Sequence, residues 1–192
     1  MVSDATKLQP EGRKYGLYML AKMPCYMNMT DELATKFADK LDEWGFFEKP
    51  AGVKHHGAWD GGLYDHSNEV GQELAYETDR LDVHWQKPRS AYLVGILHDL
   101  CKLEDYERDE NGAWKYVKHE GHGERSVVLA EKLLKECGME PLTEEERLCI
   151  RWHMGFCDEK ENWNGYGEAV AKYMTVLYTH TADMYATRVL GL

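Results

Sequence analysis

The chain has 192 residues, 43% hydrophobic and 30% charged, a length and balance that describe one globular domain with a real core. Its formal net charge of −11 argues against a sequence-independent grip on a long nucleic acid, which needs many Lys and Arg contacts to phosphate. No apolar run reaches the roughly 18 residues of a membrane span, and the opening seven residues carry no apolar signal region, so a cytoplasmic location is expected.

The first helix is expected over 10–22. A second starts after Thr30, a good N-cap ahead of Asp31 and Glu32, and runs to about Trp44. Leu33, Phe37, Leu41 and Trp44 give it an apolar stripe, and Gly45 suits its stop. Residues 50–62 read as a Gly-rich loop, followed by a helix carrying His66, Val70, Leu74 and Leu81. Pro88 suits the first turn of a helix running through His98 and Asp99 to about Lys102. Asn111-Gly112 signals a tight-turn β-hairpin over 106–117. The next helix spans about 123–138 and is expected to bury Val127, Val128, Leu129, Leu133 and Leu134. Thr143 with Glu146 has the capping-box form and opens a helix reaching His153. A polar loop over 155–165 and a last helix over about 166–189, carrying Asp183, complete an all-α bundle with one small hairpin. The whole chain reads as a single domain, with N-terminal helices over 1–49 and a metal-binding core over 50–192.

Within that pattern, the adjacent His98 and Asp99 stand out, because they lie in the apolar run 91–102. Burying an unpaired carboxylate costs several kcal/mol, roughly, even after relaxation. A divalent cation removes that cost by taking both side chains as ligands. His66 lies upstream, and His122, His153 and Asp183 lie downstream. Their intervals are 32, 23, 31 and 30 residues (66 to 98, 99 to 122, 122 to 153, 153 to 183). Each is about one helix plus a connection, so a bundle can bring one ligand per helix to a common centre. Four His and two Asp suit one or two transition metals. The five cysteines, Cys25, Cys101, Cys137, Cys149 and Cys157, include no Cys-x-x-Cys and read as reduced thiols, with Cys101 packing as a small apolar residue.

Five ordered pieces carry a family resemblance: Lys54-His-His-Gly57 with Gly61-Gly-Leu-Tyr-Asp-His66, Leu97-His-Asp-Leu-Cys-Lys102, Gly121-His-Gly-Glu-Arg-Ser126, Ile150-Arg-Trp-His153 and His180-Thr-Ala-Asp183. Over residues 50–188 the chain resembles the HD superfamily of metal-dependent phosphohydrolases. The segment ahead of His98 is most similar to the HD domain of bacterial 3′-to-5′ exoribonucleases, and the ligand order is similar to that of two-metal HD nucleotidases. The resemblance implies that His66, His98, Asp99 and Asp183 hold a first metal. It implies that Asp99 bridges to a second, held by His122 and His153. Two divalent ions per chain (Mn, Fe, Co, Ni or Zn, with Mg also open) would then activate a hydroxide for attack on phosphorus. Asp99 and Lys102 would be the catalytic residues, Lys102 assisting the leaving group.

The partner implied is a small phosphorylated substrate, a nucleotide or related metabolite, with no membrane and no long nucleic acid; the oligomeric state is left open. His119 rivals His122 as ligand. His56, His119, Arg125 and Arg151 are candidate substrate contacts, and Asp65 is a candidate partner for a ligand His. His84 and His180 are not expected to be ligands, although His180 can orient one. Alternatives to hydrolysis of a phosphoester or phosphoanhydride are exonuclease action on short single strands and the oxygen chemistry of mixed-valent di-iron HD proteins. A non-catalytic scaffold stands last.

Overall fold

The computed structural model describes residues 8–54 and 57–192. The architecture is mostly α, with one two-stranded antiparallel hairpin. Helix α1 (Pro10–Lys22) has its proline at the start, where the missing N–H costs nothing, and buries Arg13, Leu17 and Ala21 at four-residue spacing. Thr30 caps α2 (Asp31–Glu43) by accepting the Leu33 N–H, as its sequence predicts. Helix α3 spans Gly62–Leu81 and α4 spans Ser90–Leu97. These two pack closely along their length.

The expected helix through His98, Asp99 and Lys102 is broken. Helix α4 ends at Leu97, residues 98–101 form a turn, and α5 (Lys102–Asp105) follows. His98 N–H still bonds the Val94 carbonyl, but Leu100, Lys102, Leu103 and Glu104 bond three residues back. The chain thus tightens where the His-Asp pair sits. Pro88 lies before the first turn of α4, not within it.

Strands β1 (Tyr106–Arg108) and β2 (Trp114–Tyr116) pair with Tyr106 opposite Tyr116. Their connection is wider than the two-residue turn that Asn111-Gly112 suggests. Asp109 holds it, its carboxylate accepting the Asn111 and Ala113 N–H groups at 2.8 and 2.9 Å.

Helix α6 (His122–Cys137) buries Ala130, Leu133, Leu134 and Cys137, while Val128 faces outward, contrary to the sequence reading. The predicted capping box at Thr143 opens α7 (Glu144–Trp152). The stretch expected as a loop over 155–165 contains two short 3-10 turns and the start of α8 (Trp163–Lys172). The single last helix expected over 166–189 is two helices: α9 (Thr175–Tyr185) follows a break at Tyr173, whose backbone is extended. Tertiary bonds explain the break. Tyr173 Oη donates to Glu144 and accepts from Gln86, and Thr175 Oγ1 donates to buried Glu145 at 2.7 Å. A π turn (Ala186–Leu190) ends the fold.

One apolar cluster runs through the bundle, from Leu17 and Phe37 in the first helices to Val176 and Ala182 in α9. Each fully buried Leu or Phe there contributes about 1.5–3 kcal/mol. No described helix is long and apolar enough to cross a membrane.

Candidate metal centre

Five chain segments converge on Asp99. His66 comes from α3, His98 from the end of α4, His122 from the first residue of α6, His153 from the end of α7 and Asp183 from α9. His66, His98, Asp99 and His153 are almost fully buried. Their rings form a chain of neighbours, His66 to His98 to His153 to His122, with centroids 5.1, 4.9 and 5.1 Å apart.

The two carboxylate oxygens of Asp99 face different partners. Oδ2 lies 3.4 Å from His66 Nε2 and 3.3 Å from His98 Nε2. Oδ1 lies 2.8 Å from His122 Nε2 and 3.5 Å from His153 Nε2. Asp183 adds Oδ1 at 3.3 Å from His66 Nε2. These residues form overlapping sets whose donor atoms could hold a metal ion: His66, His98 and Asp183; His98, Asp99 and His153; and Asp99, Cys101 and His122.

The ring orientations suit that role. His98 Nδ1 donates to the Gly95 carbonyl and His153 Nδ1 to the Ile150 carbonyl, both at 2.7 Å. Each bond leaves Nε2 as the lone-pair nitrogen facing the cluster. His153 Nε2 is buried without a hydrogen-bond partner among the described residues, a cost that a bound cation would remove. His180 Nδ1 donates to the His153 carbonyl at 2.8 Å and so steadies the backbone at His153.

Cys101 is fully buried, as expected of it, and also contacts the cluster. Its Sγ lies 3.1 Å from His122 Nδ1, and its N–H donates to buried Ser126 Oγ. Lys102 Nζ sits 2.7 Å from Asp99 Oδ2. Burial opposes the ammonium charge, but Asp99 outweighs it and raises the Lys102 pKa. Burial likewise opposes the charge on Asp99; Lys102 and the histidines overcome this and hold the carboxyl well below its usual range. Burial lowers His122, yet its bonds to Asp99 and Cys101 raise it to about 9.

Geometry separates His122 from its rival. His119 is exposed at the hairpin exit and bonds Asp105 at 3.1 Å, outside the cluster. Arg125 pairs with Asp105 and Glu104, and Arg151 with Glu124 and Asp158, so both guanidiniums are engaged away from the cluster. Arg13 grips both oxygens of Asp65 at 2.8 Å, and Trp59 donates to it. His84 is exposed beside Asp82. His56 lies outside the described residues.

A cavity of about 180 Å³ opens onto Asp99, Lys102, His122 and Asp183. Its outer wall includes Met154, Met184, Thr187 and Arg188, which the sequence reading did not single out. Thr187 Oγ1 donates to Asp183 Oδ1 at 3.3 Å, and the four-residue spacing from Asp183 is a signal that could have found it. Compared with known proteins, the chain matches no family model, no curated protein and no solved structure.

Proposed function

We propose that this chain is a metal-dependent phosphohydrolase of the HD type, acting on a phosphoester or phosphoanhydride of a small metabolite such as a nucleotide. The observation that carries the reading is the division of Asp99. One oxygen faces His66 and His98, the other faces His122 and His153. A carboxylate so divided suits a bridge between two cations.

In this reading, His66, His98, Asp99 and Asp183 would hold one divalent ion, and His122 and His153 together with Asp99 would hold a second. Ions bound there supply Lewis-acid polarisation of the phosphoryl group and bring the pKa of water towards neutrality. The protein's own groups do the rest. His98 and His153 are kept in the ligating tautomer by the Gly95 and Ile150 carbonyls. Thr187 Oγ1 donates to Asp183 and fixes it. Lys102 faces the same cavity, where its ammonium offsets charge that develops on the departing oxygen.

Elemental analysis of protein purified without chelator tests the centre. Wild type is expected to hold near two ions per chain, and His122→Ala near one. One ion in both proteins would replace the bridged site by a single-metal site. Phosphate release from a nucleotide panel, with Mn, Fe, Co or Ni supplied, tests the reaction. Oxygen uptake without phosphate release would replace hydrolysis by oxidation.

A further inference from the structure

The cavity at the centre is smaller than the substrate proposed for it. Sites that enclose a drug-sized ligand span about 300–1,000 Å³, whereas this one holds about 180 Å³. It admits the reacting phosphoryl group, and the remainder of the molecule must emerge past the outer wall. Arg188 stands on that wall and is exposed to solvent.

Its electrostatic state sets Arg188 apart. Every other arginine is ion-paired: Arg13 with Asp65, Arg80 with Glu77, Arg89 with Glu146, Arg108 with Asp60, Arg125 with Asp105, Arg147 with Glu131 and Arg151 with Asp158. Arg188 has no ion pair among the described residues. In a chain of net charge −11, carboxylates are abundant, yet none of those described pairs with this guanidinium. Lys102, the lysine on the cavity, lies deeper and is bound to Asp99. The two cations therefore serve different depths.

The backbone supports the placement. Arg188 lies in the π turn, where Gly191 N–H bonds the Ala186 carbonyl five residues back. The same turn carries Thr187, which bonds Asp183, so the rim cation and a proposed metal ligand are held by one short element.

We propose that Arg188 is a specificity residue that pairs with a second anionic group of the substrate, a phosphate or carboxylate remote from the scissile bond. This rests on the phosphohydrolase reading for the identity of the inner group. The substrate class is thus a phosphoester bearing at least two separated anionic groups. Guanidinium suits this task because it stays charged and offers a planar fork to either anion.

The test uses calorimetric titration of the full, Mn-loaded chain with orthophosphate, pyrophosphate and tripolyphosphate. Wild type is expected to bind one of the longer anions more tightly than orthophosphate. Arg188→Ala is expected to weaken that anion by about tenfold to a hundredfold, the range for one lost charged hydrogen bond, and to leave orthophosphate unchanged. Arg188→Lys should restore part of the preference. Equal losses for all three anions would overturn the second-anion assignment, since Arg188 would then contact the inner group. No loss for any would overturn its role entirely. A preference that depends on Arg188 in a protein that hydrolyses no phosphoester would sink the proposed reaction and keep the anion subsite.

Discussion

Gly71 of α3 and Gly95 of α4 meet backbone to backbone: a Cβ placed on Gly95 would lie 2.3 Å from Gly71 Cα. This close approach sets the spacing of the two helices that carry His66 and His98, whose Nε2 atoms stand 3.2 Å apart. Gly123 does the same between α6 and α7. A Cβ there would lie 2.0 Å from the Arg151 carbonyl oxygen, beside His122 on one helix and close to His153 on the other.

Gly95→Ala therefore forces the α3–α4 pair apart. Overpacking of this kind costs typically 1–3 kcal/mol, so the melting temperature should fall by roughly 2–12 °C. Metal content should fall with it, because His66 and His98 separate. Thermal melts and elemental analysis check both; an unchanged metal content at a lowered melting temperature would show that the helix spacing does not set the centre.

Lys102→Ala is expected to lower kcat by about 10²–10³-fold, the effect of removing one charge-stabilising donor, with metal content retained. Phosphate release under saturating substrate measures it. Unchanged turnover would remove Lys102 from the reaction.

Cys101→Ala removes the partner of His122 Nδ1. Loss of such a supporting contact typically costs 10–100-fold in metal affinity, by order of magnitude. Titration with Mn or Co should show one weakened site and one unchanged site.

The pH dependence follows from His122, whose pKa rises from 6.5 to about 9 in the metal-free fold. A group raised on folding contributes stability below its unfolded pKa and loses it as pH climbs through the folded value. Metal-free protein should thus lose the His122 contribution between about pH 6.5 and 9, and His122→Gln should flatten the melting profile over that window. Metal uptake at His122 should move the opposite way, strengthening with pH as the competing proton leaves.

Much of the helical framework was legible locally. The Thr30 cap, the Thr143 capping box and the glycines after Trp44 and Cys137 act within a few residues of the helix ends they define. Breaks imposed by partners distant in sequence were not legible. Tyr173 leaves the helix because Glu144 and Gln86 hold its hydroxyl, and the periodicity around it carries no trace of them. Val128 has the composition of a core residue, yet it lies on the outer side of α6 and stays 65% exposed.

By itself, the sequence determined the mostly helical architecture and the residue types gathered around Asp99, because caps, periodicity and a misplaced His-Asp pair in an apolar run are properties of neighbours along the chain. Only the tertiary structure decided which oxygen of Asp99 faces which histidine, that His122 and not His119 reaches it, that Cys101 backs His122, and that Arg188 stands on the rim with no ion pair among the described residues. Those outcomes depend on how closely backbones approach and on which opposite charges they bring within reach, and both are set by packing between segments far apart in sequence.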